Sequence, residues 1–286
     1  MLFNKRIVVI LGGTESDDRA LERASLIAKR MRCSLDLYWL NDPVNEPALV
    51  QFATRLEAQG VTIESHYVHG QDLIEVLLSA WQEDHFSLVV KSCKPDHKGV
   101  LLPLDWKLLR QMPCPVLLVK QESLWDGGRV LAVLDPRADQ NDLEHRRSLN
   151  QTVGMLAGLI AKEADAELMV TCCYPAPMLG AEQKQQSAKA MADEATDFLK
   201  RFTHDWHPEP AQLLVGEGPA DFWVSQTAKD TKATVVVMGT KARKGLRGWL
   251  LGNVAEQLMD HIQCDLLVVR EGMPSGLANS LEAGSS

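Results

Sequence analysis

Between Gly239 and Asn253 the chain gathers Gly239, Gly245, Gly248 and Gly252 with Lys241, Arg243, Lys244 and Arg247. Glycines let backbone N–H groups converge on an anion, basic side chains supply counter-charge, and a helix N-terminus adds partial positive charge. An apolar run precedes Gly239 and a helix-like segment starts near Asn253, so the chemistry suited to this loop is phosphate binding. It is not a Walker loop, because no Gly-Lys-Ser/Thr follows at the required spacing. The plainer account is four solvated cations on an exposed loop. Their place among glycines, after a strand, favours the anion.

The loop belongs to one half of a duplication. Phe86 to Lys120 is echoed by Ala233 to Arg270, and Cys114, Val119 and Lys120 sit 150 residues before Cys264, Val269 and Arg270. Ile7 sits only 123 before Val130, which places an insertion in the front part of the second copy. A period this long means tandem domains rather than a solenoid. In the first copy the corresponding positions are Ser92, Pro95 and Leu102, and Pro95 has no N–H to offer. That half is expected to bind no phosphate in this manner.

Both copies alternate β-branched apolar runs with helix-period segments. The patterning predicts strands at Ile7–Leu11, Ser34–Leu40, Val61–Val68, Leu88–Val90 and Val116–Val119 in the first copy. In the second it predicts strands at Arg129–Leu134, Glu167–Tyr174, Gln212–Val215, Thr234–Met238 and Leu266–Arg270, with a helix between successive strands. Alternation of this kind implies a mostly parallel sheet covered on both faces. Ligands of such sheets sit beyond the carboxyl ends of the strands, where strand order reverses. The polar stretch Glu122 to Gly128 divides residues 1–124 from 125–275, and 276–286 reads as a flexible tail.

Composition narrows the function classes. A net charge of −8 argues against general nucleic-acid binding, which needs Lys and Arg against phosphates. No run approaches the roughly 20 apolar residues that cross a bilayer, and the N-terminus shows no signal-peptide cleavage region. The six cysteines have neither CxxC nor zinc spacing, which suits a reduced, cytoplasmic setting.

The loop is similar to the signature of the universal stress protein family: a glycine ending a strand, a second glycine after two residues, and Gly-Ser or Gly-Thr after nine more. Here those positions read Gly239, Ala242, Gly252 and Asn253. VAEQLMDHIQCDLLVVR, Val254 to Arg270, also resembles the family's last helix and strand, and the likeness covers both copies as in its tandem members. The resemblance implies two Rossmann-like, flavodoxin-like α/β domains, each with a five-stranded parallel sheet flanked by helices. It further implies pairing of the domains through PVLLVK and DLLVVR as a pseudo-dimer, which would cover two sticky sheet edges.

For the site, the resemblance implies that Asp135 contacts the base, although an Asp-Pro turn explains that residue equally well. Gly239, Thr240 and Gly252 would approach the ligand, and Lys241, Ala242, Arg243, Lys244 and Asn253 would surround its phosphate. Ala242 and Asn253 depart from the family's glycine and hydroxyl, which weakens the expectation of ATP without removing it. The implied function is a cytoplasmic stress-response module that binds or regulates, with ATP, another phosphate-containing molecule or a partly apolar ligand in the second half. No catalytic residue, metal or obligatory cofactor is expected, self-association is open, and the alternative is a slow ATPase.

Other motifs carry less. LGGTESDD, Leu11 to Asp18, resembles the pyrophosphate loop of ATP-pyrophosphatase ligases, yet Leu11 and Glu15 replace its Ser and Asp, and a capped strand-to-helix turn is simpler. Gly216-Glu-Gly218-Pro219 reads as another such turn. His66 with His69 and His204 with His207, the latter in a Pro-flanked loop, read as solvated surface rather than metal ligands. Cys172-Cys173 read as small residues at a strand end.

Overall fold

The computed structural model describes residues 6–12, 17–41, 46–93, 103–121, 123–136, 143–177, 187–206, 212–240, 243–245, 248–250 and 261–270. The first half runs β1 (Arg6–Leu11), α1 (Asp17–Met31), β2 (Ser34–Trp39), α2 (Glu46–Glu57), β3 (Ile63–Tyr67), α3 (Leu73–Glu83), β4 (Leu88–Ser92), α4 (Pro103–Gln111) and β5 (Val116–Val119). The second runs β6 (Arg129–Val133), α5 (Leu143–Glu163), β7 (Glu167–Tyr174), α6 (Ala188–Trp206), β8 (Gln212–Glu217), α7 (Ala220–Asp230), β9 (Val235–Thr240), β10 (Arg243–Gly245), β11 (Gly248–Leu250) and β12 (Asp265–Arg270).

α1 shows why these segments fold as they do. Ala20, Leu21, Ala24, Ile27, Ala28 and Met31 recur at helical spacing and are buried, while Asp17–Asp18 and Lys29–Arg30 complement the dipole at its two ends. Arg32 then turns into the left-handed region (φ 52°), and the Cys33 N–H closes back on the Ala28 carbonyl at 2.9 Å. The same five-residue closure ends α2 at Gly60, α5 at Asp165 and α7 at Lys232.

The expected pairing of the halves is present. One sheet of ten strands has the order β3-β2-β1-β4-β5-β12-β9-β6-β7-β8, all neighbours parallel except β5 and β12. At that antiparallel seam Leu117 faces Leu267, its own counterpart 150 residues on, so the pseudo-twofold axis passes between them. Helices α1, α2, α5 and α6 cover one face and α3, α4 and α7 the other. Two continuous cores therefore run through both halves. Val9, Leu117, Leu267 and Val237 point to one, Val8, Leu118, Leu266 and Val236 to the other, as a period of two requires.

The seam carries a reciprocal cap. Lys120, just after β5, donates from Nζ to the Ile262 carbonyl at 2.8 Å. Arg270, ending β12, donates from Nη1 to the Arg110 carbonyl at 2.8 Å and from Nη2 to the Met112 carbonyl. Lys120 matches Arg270 and Met112 matches Ile262 across the duplication. Each half thus caps the segment that leads into the other's last strand.

The segment between the halves is anchored. Trp125 is 1% exposed, and its Nε1 donates to Asp265 Oδ2 at 2.8 Å, as does Arg23 Nε at 3.1 Å. The Lys120 and Gln121 N–H groups donate to Asp265 Oδ1 at 2.8 and 3.1 Å.

Several expectations need correction. His204 lies inside α6 and not in a loop. The glycine-rich segment contains a hairpin, β10 with β11, which two three-residue strands had not announced in the sequence. The helix expected at Gly252–His261 lies outside the described residues except for His261. Of Gly216-Glu-Gly218-Pro219 the first two residues end β8, and the expected strand-to-helix turn is made by Gly218, at φ 118°, and Pro219, the N-cap residue of α7.

Candidate functional site

In the second half α5 carries the chain from β6 to β7 on one side, while α7 returns it to β9 on the other. Strand order reverses between β6 and β9, so a ligand crevice belongs at their carboxyl ends. Val133 pairs with Met238 there, and Asp135 and Thr240 each follow two residues further along the chain. This is where the sequence placed its site.

Asp135 is half-buried and held by a residue the sequence reading missed. Asn150 of α5, 6% exposed, donates from Nδ2 to the Asp135 carbonyl at 2.9 Å and accepts from the Asp135 N–H at 3.1 Å through Oδ1. A side-chain amide that satisfies both backbone groups of one residue fixes that residue's position. Leu134, just before it, donates to the Thr171 carbonyl of β7 at 2.9 Å. Burial, and then the neighbouring Cys173 and Asp135, pushes the Cys172 thiol up to about 12.

Gly239 has a packing explanation. A Cβ there would lie 2.8 Å from Cγ and Cδ2 of Leu149, so the close approach belongs to α5. Thr240 is 5% exposed. Arg243 and Lys244 sit in β10, paired with Leu250 and Trp249 of β11. Lys241, Ala242, Gly252 and Asn253 lie outside the described residues. The hairpin lies beside α4 of the first half, so the loop after β9 crosses the seam.

At the equivalent junction of the first half, between β1 and β4, polar side chains pair on both faces of β4. Lys91 Nζ lies 2.8 Å from Asp105 Oδ1 and donates to the Ser92 carbonyl at 2.8 Å. Ser92 Oγ donates to Asp17 Oδ1 at 3.1 Å, and both Asp17 and Asp105 are buried. Burial, and then the charge of Asp105, pushes the Cys93 thiol up. Ser92 stands at the first glycine position of the lost signature. Its hydroxyl is spent inside the protein.

Comparisons with known proteins agree with this architecture. The model of the "Universal stress protein family" matches residues 133–270. "Universal stress protein E" of Photorhabdus laumondii is 24% identical over 98% of this chain and 98% of its own length. Its Escherichia coli K12 namesake is 26% identical over 89% of this chain and 78% of its own. Among solved structures, a functionally unknown protein of Pseudomonas aeruginosa PAO1 is 31% identical, with TM-score 0.78, covering 99% of this chain and 97% of that one. A protein of strain UCBPP-PA14 assigned to the universal stress proteins is 30% identical, with TM-score 0.78, over 99% and 98%.

Proposed function

The chain belongs to the universal stress protein family, and on that premise we propose that it serves the stress response in the cytoplasm as a binding or regulatory module without turnover. Its ligand is a nucleotide or another phosphate-containing molecule in the second half. The observation that carries this reading is the asymmetry of the two strand-order reversals. One presents the half-buried Asp135, whose backbone N–H and carbonyl are both held by Asn150, while at the other the polar side chains are engaged in the Lys91–Asp105 and Ser92–Asp17 contacts.

The cationic, glycine-containing loop after β9 supports a phosphate at the same end of the sheet, since Arg243 and Lys244 follow Thr240 by only a few residues. The hairpin's place beside α4 supports a regulatory role, because a ligand held by this loop also bears on its contact with the first half.

Melting the chain with millimolar ATP, and with inorganic phosphate, tests the reading. A rise in Tm with ATP that Asp135→Ala abolishes is expected. No shift with ATP would contradict a nucleotide ligand, and ATP hydrolysis lost in Asp135→Ala would favour the slow ATPase instead.

A further inference from the structure

At the opposite end of the sheet, the first half holds a second group of polar side chains. Asp36 on β2 pairs in register with Glu64 on β3, and Tyr38 with His66, so all four residues share one face of the sheet. The ligand atoms of Asp36, Glu64 and His66 lie within 4.8 Å of one another. Tyr38 stacks on the His66 ring at 4.7 Å between centroids and limits its rotation.

Two atoms of this group are unsatisfied. Asp36 is 1% exposed. Its Oδ2 accepts from Arg6 Nε at 2.7 Å and from Arg6 Nη2, but its Oδ1 is buried with no hydrogen-bond partner among the described residues. His66 Nε2 is likewise buried and unsatisfied, with Glu64 Oε2 no closer than 4.0 Å. A buried polar atom left without a partner costs about 1–3 kcal/mol, so two of them on residues of one three-ligand group call for an occupant.

Charge points the same way. Arg6 also meets Asp84, with Nη1 to Oδ2 at 2.7 Å, so it is shared between two carboxylates, and Glu64 adds a third beside Asp36. A divalent cation on Oδ1 would balance the excess. Arg6 on the other oxygen would then orient a ligating carboxylate, as outer-shell partners of metal ligands commonly do.

We propose that Asp36 Oδ1, His66 Nε2 and Glu64 bind a divalent transition-metal ion of the zinc type, with water as the remaining ligand. Ligand atoms about 2.0–2.2 Å from zinc stand about 3.5 Å apart in a tetrahedron, a closure within reach of the exposed Glu64 side chain. The ion fastens the edge strand β3 to β2, far from the strand-end crevice of the second half. It is an inference separate from the phosphate site.

The test is titration of the chelator-treated full chain, carrying no histidine tag, with Zn2+ against a chromophoric competitor, alongside thermal melts. One saturable ion per chain that raises Tm is expected. His66→Gln and Glu64→Gln should each weaken its binding at least about tenfold, while His69→Gln, whose ring stacks on Tyr67, leaves it unchanged. Glu64 is exposed, so its variant keeps the test valid even if His66→Gln unfolds. Absence of saturable binding up to about 100 µM Zn2+, or zinc held equally by wild type and Glu64→Gln, would overturn the proposal.

Discussion

Arg23 of α1 and Asp265 of β12 meet at 3.1 Å in the interior, 242 residues apart in sequence. Arg23 also lies over the Trp125 ring at 5.1 Å and donates to the Ser123 carbonyl. One ion pair thus holds the first half, the connecting segment and the last strand of the second. Burial pushes the Asp265 carboxyl upward, while Arg23 and two backbone N–H groups oppose it. Every group named around its oxygens is a donor, so the site fits the ionised form.

Asp265→Asn should therefore be costly. It leaves the Arg23 guanidinium buried without its counter-charge and turns an amide N–H toward donors. Breaking a buried pair from one side costs about 3–5 kcal/mol. Urea unfolding should show a loss of that order, against about 1 kcal/mol for Trp125→Phe, which removes one hydrogen bond and leaves the carboxylate with three donors.

The reciprocal cap at the seam makes a second prediction. Arg270 reaches two carbonyls and Lys120 one, so Arg270→Lys should lose one contact, at about 1 kcal/mol, and Lys120→Arg should be better tolerated than Lys120→Met. Equal denaturation midpoints for wild type and Arg270→Lys would contradict the geometry.

The thiols predict an alkaline limit to stability. Burial pushes Cys172 and Cys264 up to about 12, and raises Cys93 and Cys114 as well. The unfolded chain releases these protons from about pH 8.5, which the folded chain retains. Their contribution is whole below that pH and is lost as the pH climbs towards the folded values. Midpoints in urea should fall steadily above pH 9. At pH 8 a thiol reagent should find Cys173 first among the six free cysteines, since the other five are buried, and the rest only after unfolding.

Much of this was legible in the chain. DLLVVR and PVLLVK announced their strands because four or more β-branched and leucine residues match across the duplication, and two such edges in one chain require covering. The β10–β11 hairpin was not legible, because three residues are too few to display a period of two. Asn150 was hidden in an amphipathic helix, where an amide has no distinguishing pattern. Asp265 looked like one polar residue before a strand, since Arg23 and Trp125 reach it from 242 and 140 residues away. Likewise His66 was weighed against His69, its neighbour in sequence, whereas the parallel register sets it opposite Tyr38, on the same sheet face as Asp36 and Glu64.

Asn150 yields a prediction that separates positioning from contact. Asn150→Ala removes both hydrogen bonds to the Asp135 backbone and leaves its side chain in place. Stability should fall by about 1–3 kcal/mol, and ATP affinity should drop with it. Asn150→Asp, which keeps the acceptor for the Asp135 N–H but sets a buried carboxylate oxygen against the Asp135 carbonyl, should rescue neither. Calorimetric titration beside urea melts checks the pair.

The most direct test of the central claim, one ligand site confined to the second half, is native mass spectrometry of the freshly purified chain in millimolar ATP. The account predicts one phosphate-containing ligand per chain, absent from Asp135→Ala and retained when Ser92 of the first half is replaced by Ala. A bare chain mass, two ligands per chain, or a ligand that survives Asp135→Ala would contradict it.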